Sequence, residues 1–231
     1  TESHPMLQTA PKLIFWDWNG TLLDDVHYAI GVRNRVFPRF GLPTVDSLVH
    51  YHEQFTFPVK LYYTRAGVTE DNFVEVAHAW MEEYERDCDA VPLFADAIAT
   101  LARFTDAGCA QVVLSASQVD ILRRQLTQAG ILERFAQVLG LSHIYATSKE
   151  AIGRDYLAQT NLAPDECVML GDTLHDAEVA RAMGCRCVLI ARGHQSRKVL
   201  LTAGVPVCDS LMQAAELTLA GKAGTFAEIN T

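Results

Sequence analysis

Short, wholly apolar runs that end in a small polar or acidic residue recur along the chain. KLIFWD (12–17) ends in Asp17 and leads into Asn19-Gly20, AQVVLS (110–115) ends in Ser115, and ECVMLGD (166–172) ends in Asp172. CRCVLIA (185–191) repeats the design, and AQVLGL (136–141) and VPVCDS (205–210) are weaker versions of it. Runs of this length without polar alternation suit strands buried on both faces. Between them the apolar residues fall at helical spacing. Residues 93–107 place Leu93, Ala97, Ile98, Leu101 and Phe104 on one face and stop at Gly108; residues 119–129 do the same with Val119, Leu122, Leu126 and Ala129 and stop at Gly130. Residues 150–159, 174–183 and 209–219 have a similar pattern. Strand alternating with helix predicts an α/β fold, a Rossmann-like parallel sheet covered on both faces.

One stretch breaks the alternation. Residues 25–91 carry no strand pattern, only helical patterns rich in aromatics. The longest covers 69–87, with Thr69 as its expected cap and Phe73, Val76, Ala77, Trp80 and Tyr84 along one face. The expected organisation is a Rossmann-like catalytic core of residues 12–24 and 92–220, an inserted small α-helical cap domain of residues 25–91, and a polar N-terminal leader of residues 1–11. Ligands of open parallel sheets bind at the carboxyl ends of the strands, where an insert after the first strand would form a lid.

Composition narrows the function. The 231 residues are 49% hydrophobic and 20% charged, as expected of an ordinary globular chain with a sizeable core. The formal net charge of -9, with thinly spread Lys and Arg, gives no electrostatic footprint for nucleic acid or an anionic membrane. No apolar run approaches the length of a membrane span, and no signal-peptide pattern is visible. The six cysteines lie mostly in apolar runs, so buried free thiols and a cytoplasmic location are expected.

Four sites fall at or near strand ends: Asp17-Trp18-Asn19-Gly20-Thr21, Ser115, Lys149 at a helix start, and Gly171-Asp172-Thr173-Leu174-His175-Asp176. Together they resemble the haloacid dehalogenase superfamily, whose pattern is strand–D-x-D-G-T, strand–S/T, Lys, and G-D-x-x-x-D. The resemblance runs from Lys12 to about Leu217. The position of the insert resembles the family's C1-type cap, and phosphoglycolate phosphatase-like members are the nearest general likeness. The resemblance implies a Mg2+-dependent phosphate monoester hydrolase acting on a small phosphorylated metabolite through an aspartyl phosphate. It implies Asp17 as nucleophile; Asp17, the Asn19 carbonyl and Asp172 as metal ligands; and Asp176 holding a metal-bound water or steadying Lys149. Ser115 and Lys149 would donate to the phosphoryl oxygens, with backbone N–H groups near Trp18 and Ala116 completing the cradle. A monomer or homodimer without nucleic-acid or membrane partners is expected.

The first motif departs from the family's pattern, since Asn19 stands where family phosphatases carry the acid that protonates the leaving group and later activates water. A positioned acid/base is worth roughly 10²–10⁴-fold, so slowed turnover is expected, with His27, His50 or His52 as possible substitutes. Two alternatives remain open at this point. Phosphonate C–P bond hydrolases of the superfamily also lack the second acid and use a cap lysine, for which Lys60 is the candidate. A non-catalytic phosphate- or partner-binding domain is the other.

Overall fold

A computed structural model describes residues 9–142 and 148–226; residues 1–8 of the expected leader lie outside them. The six apolar runs all form strands: β1 (Leu13–Trp16), β2 (Ala110–Gln118), β3 (Gln137–Leu141), β4 (Cys167–Gly171), β5 (Arg186–Ile190) and β6 (Val207–Cys208). They make one parallel sheet in the order β3-β2-β1-β4-β5-β6. The chain starts in the middle, winds outward through β2 and β3, and returns to the other side of β1 for β4. That reversal is a topological switch point, where loops diverge and leave a crevice at the carboxyl ends of the strands.

Strand residues alternate between the two faces, and each face has its own helical cover. Ile14 and Trp16 pack with Leu101 and Phe104 of α5 (Ala97–Asp106), Leu122 and Leu126 of α6 (Val119–Gln128), and Leu211 of α10 (Leu211–Leu219). Leu13 and Phe15 face Leu157 of α7 (Lys149–Gln159), Ala180 and Met183 of α8 (Leu174–Met183), and Leu200 of α9 (Arg197–Leu200). All six cysteines are buried and unpaired. No helix among the described residues is long and apolar enough to cross a membrane.

Between β1 and α5 the described chain is helical: α1 (Val26–Val36), α2 (Leu48–Gln54), α3 (Val59–Arg65) and α4 (Phe73–Asp87). Helices α1, α3 and α4 share an apolar cluster around Val32, Phe37, Tyr63, Val76 and Tyr84, to which α6 adds Ile121, and α2 packs through Tyr51 with Val26, Val45 and Tyr62. The neck of the insert is tied by a Leu23–Leu93 bridge and by Asp24 N–H donating to the Pro92 carbonyl at 2.9 Å.

Two helix starts differ from the sequence pattern. The expected 69–87 helix begins at Phe73, after Asn72, whose side-chain oxygen receives the Thr69 N–H at 2.8 Å. Thr69 therefore belongs to the preceding turn and not to the cap. The 93–107 helix begins at Ala97, because Leu93 and Phe94 pair with the 22–23 segment, the Phe94 N–H donating to the Leu22 carbonyl at 3.0 Å. Both shifts arise where a tertiary or turn contact outcompetes helical periodicity, as is common at termini.

Candidate active site

The parallel register, Trp16 against both Val113 and Leu170, brings Asp17, Ser115 and Asp172 to one edge of the sheet. The turn after Asp17 is held by Trp18, which is fully buried. Its indole N–H donates to Gln125 Oε1 of α6 at 2.9 Å, and its carbonyl accepts from the N–H groups of Thr21, Leu22 and Leu23. Gly20 adopts φ +73°, and a Cβ there would lie 2.3 Å from Asp172 Oδ2. Gly193, after β5, is packed still closer: its Cβ would stand 2.0 Å from the same oxygen. Glycine at both positions lets two backbone segments close on Asp172, and His194 N–H donates to Asp172 Oδ2 at 2.6 Å.

Lys149 comes from the first residue of α7, whose N-cap Ser148 accepts from the Ala151 N–H. Its ammonium donates to Asp17 Oδ1 and Asp176 Oδ1, both at 2.6 Å, and the lysine is only 4% exposed. The other oxygen of Asp176 accepts from the N–H groups of Asp172 (3.1 Å) and Thr173 (3.0 Å) and from the Thr173 hydroxyl (2.9 Å). This is a capping box at the start of α8, and it leaves Asp176 firmly oriented toward Lys149. The Thr21 hydroxyl lies between two carboxylates, 2.9 Å from Asp17 Oδ2 and 3.0 Å from Asp172 Oδ1. Thr21 thus bridges Asp17 and Asp172 as well as tightening its turn.

The chamber bounded by these groups measures about 130 Å³ and is lined by Asp17, Asn19, Ser115, Ala116, Lys149, Asp172 and Asp176 among others. Of the residues given a catalytic, binding or metal role from the sequence, all border it except Trp18, whose side chain points into the core. The Ser115 hydroxyl accepts from the Ser117 N–H at 3.0 Å, which leaves its own proton available to donate.

Charge is unevenly supplied here. Burial raises the Asp17 carboxyl above its ordinary value, and the nearby Asp176 charge raises it further, against the pull of Lys149. Burial and the Asp17 charge push Asp172 well above the usual carboxylate range. Burial opposes ionisation of Asp176 too, but the Lys149 ammonium outweighs it and holds that group below its usual value. Burial would lower Lys149, yet Asp17 and Asp176 together lift it above the usual lysine range.

A second polar network adjoins the first, and no sequence motif announces it. Asn19 Nδ2 donates to Asp25 Oδ2 at 2.8 Å and to the Tyr84 hydroxyl at 2.9 Å, and Asn19 Oδ1 accepts from the Ser117 hydroxyl at 2.8 Å. Tyr84 in turn donates to Asp25 Oδ2 at 3.0 Å. On the far side of Asp25, His194 Nε2 lies 3.0 Å from Oδ1, and His194 Nδ1 lies 2.7 Å from the Tyr51 hydroxyl. Burial lowers the His194 pKa, but the Asp25 charge overrides it and pushes it up to about 9. Burial works against the Asp25 carboxylate as well, and the His194 cation brings it below its ordinary value. Both residues carry only a weak signal, Asp25 in the acid pair after the first motif and His194 in the loop after a strand end.

Other candidates lie apart. Lys60 pairs with Glu70 at 2.7 Å on an exposed surface and borders neither cavity of the site, which removes the support for the cap-lysine alternative. His27 is exposed, and His50 pairs with Asp46 at 3.0 Å. His52 Nε2 contacts the Gly193 carbonyl at 2.9 Å without lining the chamber. His175 does line it and stacks on Phe57, with ring centroids 4.9 Å apart.

Similarity to known proteins points the same way. The family model described as haloacid dehalogenase-like hydrolase matches residues 14–190. Tyrosine-protein kinase PtkA of Mycobacterium tuberculosis is 26% identical over 187 residues, which is 80% of this chain and 64% of that protein. The chain therefore spans a little under two thirds of that relative's length. Phosphoglycolate phosphatase of Synechococcus elongatus is 23% identical over 192 residues, covering 83% of this chain and 89% of the relative. Among solved structures, a haloacid dehalogenase-like family hydrolase from Streptococcus pneumoniae superposes with a TM-score of 0.77 at 20% identity, covering 91% of this chain and 99% of the other.

Proposed function

The chain belongs to the haloacid dehalogenase-like hydrolases, and from that premise we propose that it hydrolyses a small phosphate monoester by way of an aspartyl phosphate on Asp17. The observation that carries this reading is Asp17 itself, a buried carboxylate at the switch point of the sheet, braced by Lys149 at 2.6 Å beside Ser115 and Asp172. A binding domain would have little use for an anion aimed into a chamber for anions. Residues 12–24 and 92–220 act as the catalytic core, and residues 25–91 act as the cap.

The donor set fits a divalent cation. One oxygen each of Asp17, Asp172 and Asp176 lie within 4.8 Å of one another, all three residues buried. Lys149 donates to Asp17 and Asp176, whereas Asp172 accepts from the Thr21 hydroxyl and the His194 N–H and, among the described residues, from no cationic side chain. Hard oxygen ligands suit Mg2+. Asp17, the Asn19 carbonyl and Asp172 would hold it, and when bound it supplies charge neutralisation at the phosphoryl oxygens. The bonds of Asp176 favour its second expected role, steadying Lys149.

In the first step an Asp17 oxygen attacks phosphorus, the ester P–O bond breaks, and the alkoxide leaves. Lys149 and the Ser115 hydroxyl donate to the phosphoryl oxygens, with the N–H groups near Trp18 and Ala116 as further donors. Water then displaces Asp17 from phosphorus and releases inorganic phosphate. Asn19 cannot supply the proton for the first step, so good leaving groups are favoured and the aspartyl phosphate is hydrolysed slowly. Stopped-flow assays with p-nitrophenyl phosphate and Mg2+ are expected to show a burst of p-nitrophenolate stoichiometric with enzyme. Absence of any Mg2+-dependent release would refute the reading.

The environment of Asn19 changes what Asn19→Asp should do. Both amide protons are used, one on Asp25 and one on Tyr84. A carboxylate there would face Asp25 at about the same 2.8 Å, and two carboxylates at that distance share one proton. The exchange Asn19→Asp with Asp25→Asn keeps one amide and one carboxylate in contact. It is expected to raise turnover of alkyl phosphates by about 10²-fold, the lower end of what a positioned acid contributes, and by more than Asn19→Asp alone. Equal rates for wild type, single and double variants would mean that the proton is supplied elsewhere or never needed.

A further inference from the structure

We infer that the leaving group of the ester is an uncharged aromatic or comparably bulky apolar group, seated in a cleft between the helical insert and the core; this rests on the phosphate-ester reading above. Beside the phosphate chamber lies a cavity of about 390 Å³, within the size range of small-molecule sites. The two spaces share Asn19, Phe55, Phe57, Ala116 and His194 as a common wall, so an ester spanning them would put its phosphorus at Asp17 and its organic group in the larger space.

The larger space is built of rings. Phe55, Phe57, Tyr62, Tyr63, Trp80 and Tyr84 line it, and Val59 and Met81 extend the apolar surface at 41% and 40% exposure. Such faces take an aromatic or aliphatic guest by offset or edge contact. Two of the hydroxyls on these rings are committed elsewhere: Tyr62 accepts from Arg33 at 2.9 Å, and Tyr84 donates to Asp25 at 3.0 Å. Asn19 and Ser117, two polar residues of the lining, bond to each other at 2.8 Å.

A second anionic group meets no free cation there among the described residues. Among the described residues, no lysine or arginine lines the cavity. Its charged members are Asp25 and His194, already paired at 3.0 Å. Arg33 stands behind the aromatic layer, stacked 5.2 Å from the Tyr62 ring centroid and bonded to Gln54 at 2.8 Å. Arg35 is held by Glu83 at 2.5 Å, and Arg65 is exposed. A substrate carboxylate would therefore leave water for a site whose described residues offer it Asp25 and no free cation.

The test separates binding from chemistry with non-hydrolysable probes. Benzylphosphonate, ethylphosphonate and phosphonoacetate are titrated into the full chain with Mg2+ by calorimetry. Benzyl phosphate, ethyl phosphate and phosphoglycolate are assayed for phosphate release, the first two leaving as alkoxides and differing chiefly in the ring. Burying the ring predicts a benzyl-over-ethyl preference of about 10- to 100-fold in both Kd and kcat/KM. Phosphonoacetate and phosphoglycolate are expected to fall below the ethyl compounds. Met81→Arg, on a half-exposed position, should shrink the benzyl preference and raise affinity for phosphonoacetate. Equal binding of the three probes, or tighter phosphonoacetate, overturns the inference even if phosphate is released. A clear benzyl preference with no turnover of any ester upholds the cleft's specificity and overturns the phosphatase reading instead.

Discussion

Asp17→Asn is expected to abolish phosphate release, by about 10⁴-fold or more, while leaving the fold at least as stable as wild type in EDTA. The rate loss follows from removing a nucleophile, after which only binding and the remaining donors can act. The stability follows from the direction of the Asp17 shift. Burial and the Asp176 charge raise its carboxyl above the ordinary value, so the folded state penalises the ionised form. That penalty sets in as the pH rises from the unfolded carboxylate's value and is complete above the folded one. An amide carries no such penalty at neutral pH, and Lys149 keeps Asp176 as its partner. Thermal unfolding in EDTA should place the variant at or above wild type. Adding Mg2+ at 100 times its Kd should stabilise wild type by about 2.7 kcal/mol, and the variant by much less. A variant that retains activity would remove Asp17 from the mechanism; one that unfolds in EDTA would overturn the electrostatic account.

Lys149→Met should fail in the opposite manner, losing both activity and stability. The ammonium is the direct cationic partner of Asp17 and of Asp176 at 2.6 Å, and all three groups are buried. Removing one member of a buried ion pair typically costs about 3–5 kcal/mol, because the partner is left uncompensated. For a chain of this length that is a drop of roughly 6–20 °C in Tm. Loss of an aimed donor at the phosphoryl group should lower kcat by about 10³-fold. Combining Lys149→Met with Asp176→Asn removes the stranded carboxylate. The double variant should regain part of the lost Tm and none of the lost rate, a non-additivity expected of side chains in one network. If the double variant is the less stable of the two, Asp176 is held by its capping box and not by Lys149.

Much of this molecule is legible in its sequence. The six apolar runs are the six strands, and Asp17 and Asp172 each stand just past the end of one. Ser115, expected to close its strand, lies inside β2, whose register shifts after Leu114 and which runs on to Gln118, and Lys149 opens α7. Asp176 is legible as the fourth residue after Asp172, and the capping box gives the physical reason for that spacing. The helix starts expected at Thr69 and Leu93 lie elsewhere because each depends on one competing contact, with Asn72 in the first case and the Leu22–Leu23 segment in the second. Asp25 and His194 escape a reading of motifs. They are 169 residues apart, and neither lies in a motif whose local spacing implies the other.

The sequence by itself determined what depends on near neighbours: strand and helix periods, the glycine turn after Asp17, and the short motifs that carry the acids proposed as nucleophile and metal ligands. Only the tertiary structure decided what surrounds Asn19, which cap residues reach the site, and that Lys60 does not. It also decided that the cleft is a wall of rings with its arginines turned away. Those facts depend on how helices from the insert settle on the carboxyl edge of the sheet. That packing is set by many weak contacts between distant segments, and aromatic residues with helical spacing look the same in a sequence whether they fill a core or line a pocket.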